Sequence, residues 1–117
     1  MGRPRPGGDG EDRAAAALEE SGMRIVARNF RWRGGEVDIV ALDGETLVFV
    51  EVKAWAVYGI DSLEQGIGPR KRGRIVETAK YFLSVHRQYE GRIVRFDVVF
   101  VGKGGITHLA SAFMETV

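Results

Sequence analysis

Residues 36–53 read EVDIVALDGETLVFVEVK. Two apolar, alternating runs flank Asp43-Gly44, a dipeptide that marks a two-residue hairpin turn. The stretch therefore predicts two antiparallel strands, 36–42 and 45–53. Four ionisable groups, Glu36, Asp38, Glu51 and Lys53, sit in it, where burying charge is costly. With Asp43-Gly44 as the turn, Leu42 opposes Glu45, Val40 opposes Leu47, Asp38 opposes Phe49 and Glu36 opposes Glu51. Alternation then places all four charged residues on one face. Asp38 and Glu51 become diagonal neighbours, about 7 Å apart at the backbone. A three-residue loop would slip the register by one and destroy this arrangement.

Two converging carboxylates repel each other unless a cation sits between them. A hard divalent ion such as Mg²⁺ takes oxygen ligands of this kind and keeps several waters. The Val52 backbone carbonyl is a further candidate ligand. Lys53 lies two residues on, where it can activate a water or stabilise charge on a phosphate. Together these are the parts of metal-assisted phosphodiester hydrolysis. The bland alternative is a salt-bridge ladder on a solvated face, Glu51 with Lys53 and Asp38 with a nearby Arg. Leu47 and Phe49 share the face, so the charges emerge at the end of an apolar stripe, as at the edge of a site.

Upstream, the GP-rich start 1–8 reads as a flexible tail, and 9–117 as a single domain. Asp9 can cap a helix over 10–21, with Ala14, Ala15 and Leu18 as its apolar stripe and Gly22 as its stop. Glu11 shares that stripe and points toward the protein. Its bland alternative is a first-turn acid favoured by the helix dipole. Alternation over 23–28 predicts a first strand. Downstream, 58–68 reads as a loop. Pro69 opens a helix to about residue 87, with Ile75, Val76, Ala79, Phe82, Leu83 and His86 inward and Lys71, Arg74 and Thr78 on another face. The run 93–101 is a buried strand, 106–109 a short last strand, and 110–114 a terminal helical turn. The order α-β-β-β-α-β-β predicts an α/β fold, a central mixed β-sheet flanked by α-helices.

The chain has 117 residues and 44% hydrophobic content, enough for one core. Its 17 Lys and Arg nearly balance 16 Asp and Glu, so only their distribution points to nucleic acid. Arg70, Lys71, Arg72 and Arg74 form a basic knot; Lys71 and Arg74 can reach a phosphate backbone together, while Arg70 and Arg72 read as a solvated turn. Arg28, Arg31 and Arg33, interleaved with Phe30 and Trp32, form a second basic strip or a hairpin whose aromatics pack. Asp97 interrupts a buried run, and Arg95 on the same strand face is its nearest partner. His86 reads as a packed histidine and His108 as isolated. There is no cysteine, so disulfides, thiol nucleophiles and Cys-based zinc sites are excluded. No apolar run suits a signal peptide or a membrane span. The expectation is a cytoplasmic protein that does not enter a membrane.

The residues Asp38 and Glu51-Val52-Lys53 match the D…(D/E)-x-K signature of the PD-(D/E)xK nuclease superfamily. The chain resembles, more closely, the YraN-like family of bacterial endonuclease-like proteins. The matching pieces are Gly10-Glu11, RNFRWRGGEVDIVA (28–41), LVFVEVK (47–53), Lys71 with Arg74-Ile75 and Ala79, RFDVV (95–99) and Ala112-Phe113. At wider distance it is similar to archaeal Holliday-junction resolvases. The resemblance implies a restriction-endonuclease-like core and a Mg²⁺- or Mn²⁺-dependent DNA endonuclease, possible as a homodimer. It assigns metal ligation to Asp38 and Glu51, water activation to Lys53, and a supporting acid to Glu11. Arg28, Lys71 and Arg74 would hold phosphates, with Glu36 and Asp97 in support. After Lys53 the family usually continues Thr-Arg; here Ala54-Trp55 follows, which removes a phosphate-contacting Arg and adds a ring that could stack on a base. The other function class is a nucleic-acid-binding module without turnover, acting in DNA repair, recombination or uptake.

Overall fold

A computed structural model describes residues 8–54 and 68–113. Helix α1 (Gly8–Glu20) leads into strands β1 (Arg24–Trp32), β2 (Gly35–Asp43) and β3 (Thr46–Ala54). Helix α2 (Pro69–Val85) and a single 3-10 turn (Arg87–Tyr89) follow, then β4 (Val94–Gly102) and β5 (Gly105–Phe113). The five strands form one sheet in sequence order. Strands β3 and β4 are parallel, and every other neighbouring pair is antiparallel. A parallel pair needs a long crossover, and α2 lies within it. The expected α/β sandwich, a mixed sheet flanked by helices in the order α-β-β-β-α-β-β, is the observed fold.

Each face of the sheet has its own core. On one face Ala14, Ala15 and Leu18 of α1 pack on Ile39, Ala41, Val48, Val50, Val99 and Val101. On the other, Ile75, Val76, Ala79 and Phe82 of α2 pack on Val40, Leu42, Leu47, Phe49, Phe96 and Val98. Phe82 meets Phe49 edge-on, with ring centroids 5.6 Å apart. Both rings are fully buried, and truncating either would cost about 3–5 kcal/mol. Because helices cover both faces, β3 is apolar at every position from Leu47 to Val50.

Several local expectations are corrected. The hairpin pairs Asp43 with Thr46 and Leu42 with Leu47, so its turn is Gly44-Glu45. Gly44, at φ 60°, takes the first central position of the turn, the place a type II′ turn reserves for glycine. The expected Asp43-Gly44 turn had put it second. The register moves by two, so within the paired residues 39–43 and 46–50 every side chain keeps its face. Helix α1 starts at Gly8, which puts Asp9 in its first turn and not in the capping position. The end of the chain is no helical turn as far as Phe113: β5 continues to that residue, whose ring stacks on Phe96 at 4.8 Å. Thr78, expected on a different face from the inward stripe of α2, is fully buried. The expected flexible tail, the loop 58–67, Trp55 and Met114 lie outside the described residues. Among the described residues no helix is long and apolar enough to cross a membrane.

Candidate metal and phosphate site

The regular ladder between β2 and β3 ends at Ile39 and Val50. The next two residues by count are Asp38 and Glu51, which the ladder does not pair but whose side chains meet. At this point β2 also loses its alternation, since Val37 and Val40 pack in the same core. Asn29 of β1, between the pairs Arg28–Ile39 and Phe30–Val37, has φ 53°. Both strands are thus bent beside Asp38. The bend aims the Asp38 carboxylate into the opening, where Oδ2 accepts the Val52 N–H at 2.7 Å. A strand residue points its N–H and C=O toward the same neighbour, so the Val52 carbonyl faces this opening too.

The Glu51 side chain is only 10% exposed. Burial, then a hydrogen bond and repulsion from Asp38, push its carboxyl up to about 8. The Lys71 ammonium, 3.7 Å from Oε2, and Lys53 offset part of that shift. Lys53 is half-buried, and its ammonium is held below the usual lysine range by burial and by Lys71 beside it. Asp38, Glu51, Lys53 and Lys71 are therefore one cluster, drawn from two strands and the first turn of α2. Pro69 opens that helix and sets Lys71 facing the sheet.

Glu11 of α1 is buried and accepts hydrogen bonds from Arg28 and Asn29. It reaches the site through the bent part of β1, next to Asp38. Arg28 is engaged differently from the phosphate role expected of it. Its guanidinium bridges Glu11 at 3.1 Å and Asp12, so it anchors α1 to the sheet. Glu36 is exposed and pairs with Arg31 at 2.9 Å. Phe30 and Trp32 pack on α2: Phe30 meets Phe82 at 5.0 Å and Trp32 stacks on Tyr81 at 4.6 Å. A cleft of about 440 Å³ opens from Glu51 and Lys71 past Arg74, Glu36, Arg31 and Arg33.

Asp97 is not part of this cluster. It neighbours Val98, which opposes Glu51, and so faces the other side of the sheet. Arg95 grips it through two contacts of 2.9 Å, as the strand pattern predicts. His108 is not isolated: Nε2 lies 2.7 Å from Asp97 Oδ2, and the Ser111 N–H donates to Oδ1. Burial pushes the Asp97 carboxyl up, but His108, Arg95 and Ser111 together hold it below its ordinary value. His108 was missed because β5 places it beside Asp97 through a strand pairing with no motif of its own.

Comparison with known proteins follows the same residues. Residues 10–101 match the uncharacterised protein family UPF0102. The chain belongs to that family. A UPF0102 protein of Persephonella marina is 41% identical over 107 residues, covering 92% of this chain and 91% of its own. A UPF0102 protein of Nitratidesulfovibrio vulgaris is 41% identical over 115 residues, with 95% and 85% covered. One from Lachnoclostridium phytofermentans is 46% identical over 103 residues, with 88% and 87% covered. The UPF0102 match contains all four clustered residues and Glu11, and membership bears out the expected YraN-like resemblance.

Among the described residues no three His, Cys, Asp or Glu side chains converge as a ready metal cage. The donor set is two carboxylates and a backbone carbonyl. That set suits a small hard cation that retains water. The buried Glu51 carboxyl beside Asp38 fits the same conclusion, because a cation is what would let both ionise.

Proposed function

We propose that this protein is a Mg²⁺- or Mn²⁺-dependent DNA endonuclease. The observation that carries the reading is the Asp38–Glu51 pair, held at a break in the β2–β3 ladder with two lysines against it. A divalent cation at Asp38, Glu51 and the Val52 carbonyl would polarise a phosphoryl oxygen and raise the acidity of water there. The chain's own residues do the rest. Asp38 is fixed by the Val52 N–H, which orients it without a flexible partner. Lys53, with its lowered proton affinity, takes the proton of the attacking water or neutralises charge on the phosphate. Lys71 and Arg74 hold the phosphate from the α2 side of the cleft. Glu11, set by Arg28 and Asn29, supports the bent strand from the other helix. In-line attack on phosphorus then breaks one P–O ester bond, and the leaving oxygen takes up a proton.

The test is cleavage of linear, nicked, flapped, single-stranded and four-way-junction DNA with Mg²⁺, Mn²⁺ or EDTA. Metal-dependent cutting, lost in Asp38→Ala and Lys53→Ala, supports the reading and shows the preferred shape. Absence of cutting on every substrate, with binding equal in wild type and both variants, would leave a binding module in its place.

A further inference from the structure

The cleft beside Glu51 does not end at Arg74. A second cavity of about 430 Å³ adjoins it, lined by Trp32, Gly34, Arg70, Gly73, Arg74 and Glu77. The two cavities share Trp32 and Arg74. They form a groove between the β1–β2 turn and the first turns of α2, leading away from the carboxylate pair. Besides Arg31, which pairs with Glu36, three arginines face it: Arg33 in the cleft, Arg74 at the junction and Arg70 in the second cavity. All three are exposed. The carboxylate contacts among the described residues leave them out, while Arg28 and Arg31 are both engaged. The exposed acids of the lining are themselves taken, Glu36 by Arg31 and Glu77 by Lys80, so the remaining positive charge favours an anion. Arg70 and Arg74, four apart on α2, lie about 5–6 Å from each other at Cβ, so both can serve one strand. Gly73 between them has no heavy atom within 4 Å of where a Cβ would stand, which leaves the floor open.

The groove holds no free aromatic platform among its lining residues. Trp32 donates Nε1–H to Thr78 at 2.9 Å, stacks on Tyr81 and lies against Gly34, where a Cβ would come within 2.4 Å of the ring. A base has nothing to stack on there, and recognition falls to phosphate contacts, which position a strand without reading its sequence.

We propose that this groove is a phosphate track: Arg33, Arg74 and Arg70 bind successive phosphates of the strand that enters the carboxylate site, and they read the backbone alone. The substrate class is nucleic acid bound without sequence preference, its strand leaving the site over α2. This rests on the nuclease reading for the strand's destination, but its test does not need cleavage.

The test is binding of a short fluorescein-labelled DNA duplex, and of a scrambled-sequence duplex, to the full chain in EDTA. Affinity is followed from about 50 to about 200 mM NaCl. Arg33→Ala, Arg70→Ala and Arg74→Ala should each flatten the salt slope by about 0.9. Arg87→Ala, whose guanidinium pairs with Glu90 away from the groove, should leave it unchanged. The two duplexes should bind within about twofold of each other, since a base-reading site discriminates by far more. Wild-type binding with slopes unchanged in all three groove variants would overturn the track and the phosphate role of Arg74, and leave the carboxylate site of the nuclease reading standing. A preference of about tenfold or more for one sequence would overturn recognition by backbone alone. Failure of wild type to bind either duplex at low salt would overturn both readings.

Discussion

The Asp38 carboxylate accepts the Val52 backbone N–H at 2.7 Å, closing the gap left where the β2–β3 ladder ends. One side chain therefore serves both the fold and the site, and two substitutions separate the roles. Asp38→Ala leaves the Val52 N–H without its acceptor, at a cost of about 1–3 kcal/mol. Asp38→Asn keeps an oxygen for that N–H and should lose less than half as much. Urea unfolding of the two variants checks the order. Both should bind divalent cations more weakly, because the charged ligand is gone in each.

Glu51 makes the stability of the metal-free protein fall with rising pH. Its carboxyl sits at about 8 in the fold against 4.5 ordinarily. Between those values the folded protein holds a proton that the unfolded chain has released, so stability drops as pH rises. The contribution is complete below about 4.5 and is lost as pH passes through about 8. Glu51→Gln should flatten this fall and be the more stable protein at alkaline pH, by roughly 1–3 kcal/mol. Mg²⁺ should restore part of the loss in wild type and none in the variant. Thermal melts across this pH range, with and without Mg²⁺, measure both effects.

The buried Asp97 network on the opposite face is a stability element. Asp97→Ala would strip Arg95, His108 and the Ser111 N–H of their shared acceptor. Arg95 is partly exposed and keeps Asp43 at 2.9 Å, so the loss is that of the hydrogen bonds to Asp97, about 1–3 kcal/mol. Urea unfolding should show a loss of that size. Where the variant still folds, its DNA binding should match wild type.

Much of this was legible because the hairpin has a period of two. A register error of two residues changes which residues oppose each other but not which face they occupy, so Glu51 and Lys53 kept their face, while Asp38 joins them where β2 loses its alternation. The inward placement of Glu11 followed from the stripe of its helix, whereas Lys71, expected off the inward stripe of α2 and on phosphate, lies 3.7 Å from Glu51. Other features depend on contacts between distant segments. Arg28 looked available for phosphate until α1 brought Glu11 and Asp12 against it. Thr78 stood apart from the inward stripe of α2 until the Trp32 indole covered it. His108 met Asp97 only through the β4–β5 pairing, beside a bulge where Ser111 takes φ 53°. No periodicity encodes such meetings.

Two glycines should respond in opposite directions. At Gly35 a Cβ would stand 2.9 Å from Thr78 Oγ1, on a backbone at φ 156°. Gly35→Ala should push α2 away from β2 and destabilise by about 1–3 kcal/mol. Gly73 sits within α2 with open space around it, so Gly73→Ala should stabilise by about 0.5–1 kcal/mol through helix propensity. Chemical denaturation of the pair gives both signs in one experiment.

Everything proposed for the chemistry depends on Asp38 and Glu51 sharing one divalent cation. The direct measurement is calorimetric titration of Mn²⁺ into wild type, Asp38→Asn and Glu51→Gln at near-neutral pH, below the value of about 8 at which Glu51 loses its proton. In wild type, saturable binding with release of a proton from Glu51 is expected, with affinity at least about tenfold weaker in each variant. Equal Mn²⁺ binding in all three proteins, or none in wild type, would contradict the metal site and return the two carboxylates to a structural role.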